Sequence, residues 1–247
     1  MDTNVQSFAV ANLRRRPVVV EAGGFVAGFD PGTTSPYVNY ATPVPGTARH
    51  DVAALIAAFR TRGLRPRLEF APGAVPEVEP ALRAAGFTTE AVHEYLVCTP
   101  DTLRALAAAT RVETPSSDED YASIDAALAE AFTGEFAPSP AGAGRLRRVQ
   151  ENGGAVRFVR SPDGGCAGGA SCSAPAVGTA ELSGVGTRPA FRGRGIATAV
   201  TAALTEAMFA QGARSVWLEY SGDGSRRVYE RVGYEPQGTR LYLSLEE

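Results

Sequence analysis

Arg192, Gly193, Arg194 and Gly195 form a doubly charged turn that leads directly into the alanine-rich segment 196–200. Glycine lets the backbone approach another group closely, because it has no Cβ and adopts φ values that other residues avoid. The first turn of a helix offers unpaired N–H groups and the positive end of the helix dipole. The pattern therefore predicts an anion site at the start of a helix. The two arginine side chains either add charge to that anion or face solvent.

The chain repeats the same order of segments in its two halves. Apolar residues at helical spacing, then a glycine and an extended segment, occur at 52–70 and again at 196–220. Gly86 and Gly233 then each close a short helical segment, which a last strand follows. The repetition predicts two units of similar architecture.

A polar segment with proline, between Thr99 and Ser117, separates the two halves. We therefore predict domains of residues 1–100 and 117–247. The second domain opens on an amphipathic helix, and short strands separated by glycine and proline turns follow that helix. Helices that alternate with short strands predict an α/β fold with a mixed sheet.

Composition and charge narrow the class of protein. The 247 residues are 44% hydrophobic, and they contain no apolar run of the length, about 18 residues, that spans a bilayer. The N-terminus lacks the basic start and apolar run of a secretory signal, so we expect a cytoplasmic protein. The net charge is −3, and all 24 basic residues are arginine. Because no basic stripe carries aromatic residues, we expect no nucleic-acid partner.

The sparse cysteines and histidines do not form a metal-binding pattern. Cys98, Cys166 and Cys172 lack the paired spacing of zinc ligands, and we interpret them as small apolar residues in strands. His50 and His93 are the only histidines, and we interpret them as surface or capping residues. We therefore expect no metal site.

Residues 117–247 resemble an N-acetyltransferase domain of the GNAT family. That family's acetyl-CoA motif is arginine or glutamine, two residues, glycine, one residue, then glycine or alanine; Arg192, Gly195 and Ala197 match it. A second signature, Tyr-Glu-Arg-x-Gly followed by an aromatic residue, is matched at Tyr229–Tyr234. Two ordered motifs are a specific signal, whereas a glycine-rich loop alone is weak. The resemblance implies two tandem GNAT-like units and a mostly antiparallel central sheet, with a splayed strand pair in the C-terminal unit.

The resemblance also implies acetyl-CoA as a cosubstrate. Backbone N–H groups from Gly193 to Ala197 would cradle its pyrophosphate. In the family, the strand before this loop splays from its neighbour and leaves main-chain groups for the pantetheine arm and the thioester carbonyl. The cofactor-binding residues predicted in this way are Val185, Gly186, Thr187, Arg192, Gly193, Arg194, Gly195, Ile196 and Ala197.

Two residues are predicted by resemblance to be catalytic. Tyr229 stands where related enzymes often place the tyrosine that protonates the departing thiolate, and a phenol with a pKa of about 10 is protonated at neutral pH. Glu181 is the predicted general base, acting directly or through water, and Glu219 is the alternative. Many relatives carry an asparagine where this chain has Gly222 beside Asp223. That cofactor contact is made here by the backbone or by Asp223, or it is absent.

The first half departs from the family pattern. When Thr42 is set against Thr187, the path to the following helix is shorter, and the missing positions are expected where the phosphate cradle would be. The segment 43–51 has one glycine and two prolines, and proline has no N–H to donate. Residues 1–100 therefore resemble a degenerate GNAT unit that lacks the pyrophosphate loop.

The function predicted from the sequence is acetyl-CoA-dependent transfer of an acetyl group to a primary amine by direct attack, without a metal. The acceptor is expected to be a small molecule or a peptide amine, and the sequence does not identify it. We expect a monomer or a weak homodimer with no membrane partner. The alternative is a non-catalytic acyl-CoA-binding sensor or regulatory module.

Overall fold

A computed structural model describes residues 1–105, 110–133 and 136–246. The chain divides into two compact units. Unit 1 contains Met1–Tyr95 together with the segment from Pro236 onward, and unit 2 contains Leu96–Glu235. Both units mix helices with strands, as the sequence predicts for an α/β fold.

Unit 1 begins with a helix and continues with short strands and two further helices. Its elements are α1 (Asp2–Leu13), β1 (Val18–Ala22), β2 (Phe25–Phe29), β3 (Tyr40–Pro43), α2 (Val52–Arg60), β4 (Arg67–Phe70), α3 (Val78–Ala84) and β5 (Thr88–Cys98), whose last three residues belong to unit 2. Strands β1, β2 and β3 pair antiparallel in sequence order, and β3 pairs parallel with β4. The core contains Leu55 and Phe59 of α2 and Leu82 of α3, clustered with the strand residues Phe29 and Leu68.

Unit 2 places helices against both faces of its sheet. Its elements are α4 (Asp118–Ala131), α5 (Pro140–Glu151), β6 (Ala155–Arg160), β7 (Cys166–Cys172), β8 (Thr179–Thr187), α6 (Ile196–Ala210), β9 (Ser215–Glu219) and α7 (Gly222–Val232), followed by β10 (Glu235–Ser244), which begins here and continues in unit 1. Strands β6, β7 and β8 pair antiparallel, and β8 pairs parallel with β9. One hydrophobic cluster contains Val200 and Leu204 of α6 together with Leu182 and Val216. A second hydrophobic cluster contains Ile124 of α4.

The last strand is assigned differently from the predicted domain boundaries. The sequence placed all of 117–247 in the second domain, but Leu241–Ser244 pair antiparallel with β4 in unit 1. Strand pairing is non-local, so an alternating pattern near the C-terminus does not specify which sheet receives it. The segment from Pro236 onward therefore belongs to unit 1, which repeat analysis does not predict.

The local elements agree with the periodicity of the sequence. Helices α2 and α6 and the strands β4 and β9 that follow them lie at the predicted positions. Helix α4 begins with a capping box, in which Ser117 accepts a hydrogen bond from the Asp120 N–H and the Asp120 carboxylate accepts one from the Ser117 N–H. Cys98, Cys166 and Cys172 are buried free thiols, as expected of small residues in strands.

The interpretation of His50 as a surface or capping residue is wrong. Its side chain is only 2% exposed, its ring meets Phe25 edge-on at 5.0 Å between centroids, and Nδ1 lies 3.5 Å from a Glu77 carboxylate oxygen. The ring lies between Phe25 of β2 and the Glu77 carboxylate, and the neighbouring residue Asp51 caps α2 instead. His93 is partly exposed and packs edge-on against Tyr242 at 4.9 Å.

Within the described residues, no helix is long and apolar enough to cross a membrane.

Candidate active site

Strands β8 and β9 run side by side for only a short distance. Their register pairs Thr179 with Ser215 and ends with Glu181 opposite Trp217. Strand β8 continues for six residues to Thr187, whereas β9 ends at Glu219. The parallel pair therefore opens toward its carboxyl end, as the predicted splay requires, and Val185–Thr187 border the gap.

Two glycines shape the open end of β8 in different ways. Gly184 has φ +65°, and the pairing of β7 with β8 shifts register here, so the extra residue forms a β-bulge that bends the strand. Gly186 has ordinary backbone angles, but a Cβ on it would lie 2.7 Å from Leu128 Cδ2 and 3.0 Å from Ala131 Cβ. Gly184 thus permits the bend, and Gly186 permits the close approach of α4.

The turn after β8 presents its backbone to open space. Gly193 and Gly195 have φ values of +75° and +77°, and a Cβ on either would meet nothing within 4 Å. Gly195 is the N-cap of α6, and no side chain caps that helix. The first-turn N–H groups have no intrahelical acceptor, because their partners would lie before the helix begins. This geometry suits a phosphate, which would accept hydrogen bonds from the N–H groups and complement the helix dipole.

The two arginines of the turn hold backbone carbonyls. The Arg192 guanidinium donates from Nη2 to the Ala131 carbonyl at 3.0 Å and from Nε to the Thr187 carbonyl at 3.2 Å. It thereby joins the end of α4 to the end of β8. Arg194 donates to the Ala190 carbonyl at 3.1 Å and lies over the Phe191 ring, 5.2 Å from its centroid.

A cleft of about 660 Å³ lies where these elements meet, within the range that small-molecule sites occupy. Most of the residues predicted as cofactor-binding line it, and so does Tyr229. The cleft brings together Val185, Gly186, Thr187, Arg192, Gly193, Gly195, Ile196, Ala197 and Tyr229. Arg194 and Glu181 are not among its lining residues.

Helix α7 presents Tyr229 to the cleft. The side chain is 7% exposed, and burial raises the pKa of Tyr229 to about 12. The helix ends at Gly233, whose φ of +110° allows the N–H groups of Gly233 and Tyr234 to bond to the Tyr229 carbonyl at 3.2 and 3.1 Å. A Cβ at Gly233 would collide with the Thr102 carbonyl oxygen. The signature Tyr229–Tyr234 is therefore a helix end that fixes the tyrosine beside the cleft.

The carboxylates considered for the base lie on the two strands but outside the lining of the cleft. Glu181 is the last residue of β8 paired with β9, and Glu219 is the last residue of β9. Asp223 also does not line the cleft, whereas its neighbours Ser221 and Ser225 do. At the position of the family's asparagine, the Gly222 carbonyl accepts a hydrogen bond from the Ser225 hydroxyl at 2.9 Å.

The polar groups of the cleft fit an acyl-CoA. The Thr187 hydroxyl is buried and has no hydrogen-bond partner among the described residues. An orphaned buried hydroxyl is costly unless a ligand or water satisfies it. With the uncapped helix start at Gly195, it gives the cleft one site for a polar arm and one for a phosphate. Among the described residues, no group of three or more histidine, cysteine, aspartate or glutamate side chains could hold a metal ion.

Sequence reasoning missed one side of the cleft. Phe191, Thr198, Ser221 and the α7 residues Ser225 and Val228 line it as well. Thr198 is one residue beyond the matched motif. Ser221 stands at the N-cap of α7, but its side chain makes no capping hydrogen bond, and Gly222 beside it has φ +76°.

Comparison with known proteins agrees with this geometry. Residues 121–234 match the model of the acetyltransferase (GNAT) family. No curated protein sequence matches the chain. A GCN5-related N-acetyltransferase from Kribbella flavida is similar in structure, with a TM-score of 0.79 and 25% identity over 100% of this chain and 96% of that one.

Two more distant structures share the fold over the whole chain. A GNAT-family protein from Novosphingobium aromaticivorans gives a TM-score of 0.62 at 20% identity, covering 100% of this chain and 98% of that one. A tandem GNAT protein from the clavulanic acid biosynthesis pathway gives a TM-score of 0.64 at 14% identity, covering 99% and 93%. The match to the acetyltransferase (GNAT) family therefore covers the part of this protein that contains the open strand pair, the uncapped helix and Tyr229.

Proposed function

We propose that this protein is an acetyl-CoA-dependent N-acetyltransferase that moves an acetyl group to a primary amine by direct attack. The observation that carries the proposal is the single cleft that combines the open end of β8, the uncapped start of α6 at Gly195 and the buried phenol of Tyr229. The match to the family supports acyl transfer in general. The acetyl donor and the amine acceptor are the specific parts of the proposal.

In this proposal the chain binds the donor through its backbone. N–H groups of Gly193–Ala197 hold the pyrophosphate, and main-chain groups of Val185–Thr187 hold the arm and the thioester carbonyl. Acetyl-CoA supplies an activated acyl group with a thiolate as the leaving group. Arg192 keeps the phosphate loop and the end of α4 together through its two carbonyl contacts.

Tyr229 is the proposed proton donor to the departing thiolate. Because burial raises the pKa of Tyr229 to about 12, the phenol is protonated throughout the neutral range. The same burial keeps the donor in a nearly dry setting, where a single hydrogen bond is stronger than in water.

The proposed base is Glu181, acting through water. Four residues of strand separate Glu181 from Val185, which corresponds to about 13 Å at roughly 3.3 Å per residue. That distance is too long for direct proton transfer to an amine at the thioester, so a water chain or Glu219 must serve the acceptor.

A second candidate function is acyl-CoA binding without transfer, in a sensor or regulatory module. The observation in its favour is that the described residues lining the cleft include no carboxylate. The two candidates share the binding site and differ in turnover.

The test is a thermal-unfolding titration followed by an acceptor screen. We expect acetyl-CoA at about 100 times its Kd to add roughly 2.7 kcal/mol of stability, or about 5–10 °C in Tm. Gly195→Glu should abolish the shift. Gly46→Glu is the matched control, because Gly46 also has a positive φ (+76°) and open space for a Cβ. Thiol release with a panel of primary amines then separates an enzyme from a sensor, and no shift with acetyl-CoA, coenzyme A or a longer acyl-CoA refutes both.

A further inference from the structure

We propose that helix α1 fills, inside unit 1, the strand gap that unit 2 keeps open for its ligand, so that each chain binds one acyl-CoA. The statement about stoichiometry rests on the function proposed for unit 2. The statement about α1 rests on contacts within unit 1 alone.

Each unit contains a strand, a helix and a strand whose two strands pair in parallel. In unit 1 these elements are β3, α2 and β4, and in unit 2 they are β8, α6 and β9. Both pairs are short: β3 and β4 share only the register pair Ala41 with Leu68. A threonine stands near the carboxyl end of the first strand in each case, Thr42 in β3 and Thr187 in β8.

The carboxamide of Gln6 bridges the carboxyl ends of β3 and β4. The residue is 0% exposed. Its Nε2 donates to Thr42 Oγ1 at 2.7 Å and to the Pro43 carbonyl at 2.6 Å, and its Oε1 accepts from the Ala71 N–H at 2.9 Å. A carboxamide offers an N–H donor and a carbonyl acceptor, as an amide of a pantetheine arm would at the same place, and the primary amide of Gln6 has one further N–H. Gln6 therefore acts as an internal substitute for such a ligand.

The two threonines show the consequence. The Thr42 hydroxyl accepts from Gln6 and donates to the Glu69 carbonyl at 2.8 Å, so it is satisfied. The Thr187 hydroxyl is buried with no partner among the described residues. One gap is closed by the chain itself, and the other has an unmet hydrogen bond.

The starts of α2 and α6 also differ, and the start of α2 is again the one that the chain itself occupies. Asp51 caps α2, and its Oδ1 accepts from the Ala54 N–H at 3.0 Å, whereas Gly195 at the start of α6 offers no side chain. A carboxylate at the helix start occupies the anion position and repels a phosphate. The connections 44–51 and 188–195 have equal length, so the expected deletion of the phosphate cradle is wrong, and α2 is instead the shorter helix.

Helix α1 is held in place at several points besides Gln6. The Asp2 carboxylate bonds to the Tyr95 hydroxyl, and Phe8 and Leu13 are 0% exposed. An anchored helix does not leave the gap to admit a ligand without local unfolding.

The first experiment locates and counts bound acetyl-CoA on the full chain. We expect native mass spectrometry to give one molecule per chain, none for Gly195→Glu and one for Gly46→Glu. Hydrogen exchange should show protection by acetyl-CoA at 185–198 and none at 41–52. Two molecules per chain, or protection at 41–52, would overturn the proposal while leaving the proposed function intact. No binding at all would refute the proposed function and leave the second experiment to decide on α1.

The second experiment tests the filling of the gap without any ligand. Gln6→Met keeps the side-chain volume but removes three hydrogen bonds, so we expect Tm to fall by roughly 3–10 °C and the amide of Ala71 to exchange at least about tenfold faster. Gln6→Glu, which retains only the acceptor for Ala71, is the second variant if Gln6→Met does not fold. An unchanged Tm together with unchanged exchange at Ala71 would refute the role of Gln6. The number of acetyl-CoA molecules bound by either folded variant should stay at one.

Discussion

The Tyr234 hydroxyl lies 2.7 Å from Thr205 Oγ1, and the two buried side chains join the segment that follows α7 to α6. Thr205 already donates its hydroxyl hydrogen to the Thr201 carbonyl at 2.8 Å. Tyr234 is therefore the donor in this pair. Burial raises the pKa of Tyr234 well above its usual value, so the donor hydrogen is retained at neutral pH.

Removing the Tyr234 hydroxyl should lower the stability of the fold. We expect Tyr234→Phe to lower the free energy of unfolding by about 1–2 kcal/mol, because Thr205 Oγ1 loses its donor in a dry site. Urea denaturation gives the value. Thr205→Val and the double variant complete a cycle, and a coupling energy near zero would mean that the two hydroxyls do not interact.

The phenol of Tyr229 should matter for turnover and not for binding. If it protonates the thiolate, Tyr229→Phe should lower kcat by about 10²- to 10⁴-fold, with the Kd for acetyl-CoA changed by less than about threefold. Steady-state kinetics and calorimetry give the two numbers. An equal loss in kcat and in affinity would assign Tyr229 a packing role only.

The pH dependence of the wild type gives a further check on Tyr229. Its pKa of about 12 keeps the donor protonated, so kcat should show no alkaline limb from this residue below about pH 11. A limb near pH 10 that disappears in Tyr229→Phe would mean that the phenol titrates as it does in water.

Much of unit 2 is predictable from local sequence. The spacing of Ile196, Val200 and Leu204 sets the buried face of α6, and glycines at 193 and 195 mark the turn before it. These features are local, so the helix and the turn can each be predicted from one short segment of sequence. The partner of β10 is not local: Leu241–Ser244 alternate in a way that suits any sheet edge, and only the structure pairs them with β4.

Side-chain substitutes for a ligand are harder to find in a sequence. Gln6 is one of several polar residues on a helix whose apolar pattern is weak, and its partners Thr42 and Ala71 are far along the chain. The distance of Glu181 from the cleft was also not apparent, because strand alternation predicts a face and not a depth along the strand. Long-range placement of polar groups limited the prediction in both cases.

Asp120 should make stability depend on acid pH. Hydrogen bonds from the Ser116 N–H first, and then from Arg160 and the Ser117 N–H, lower the pKa of Asp120. A lowered pKa stabilises the fold above the unfolded value of about 4, and this contribution is lost as pH falls through the folded pKa. We expect Asp120→Asn to cost about 1–3 kcal/mol at pH 7, and the difference from wild type to shrink below about pH 4.

Asp118 provides the control for that experiment. It also lies in the first turn of α4, but its side chain is 85% exposed and pairs with Arg147. Exposed pairs contribute little, so Asp118→Asn should change stability by less than about 1 kcal/mol at either pH. Equal effects of the two variants would contradict the assignment of the acid dependence to Asp120.

Replacing Gly186 with a larger residue should disrupt the contact between β8 and α4. An added Cβ would lie 2.7 Å from Leu128 Cδ2 and 3.0 Å from Ala131 Cβ, so Gly186→Ala must push α4 away from β8. We expect a loss of about 1–3 kcal/mol in stability and a weaker Kd for acetyl-CoA, because Ala131 also lines the cleft and bonds to Arg192.

Gly184→Ala separates this crowding from backbone strain. Gly184 has φ +65° with open space for a Cβ, so its replacement costs about 1 kcal/mol of strain without moving α4. Calorimetry with acetyl-CoA on both folded variants gives the comparison. If Gly186→Ala binds as tightly as Gly184→Ala, the position of α4 does not control the cleft, and the role given to the Arg192 contacts falls with it.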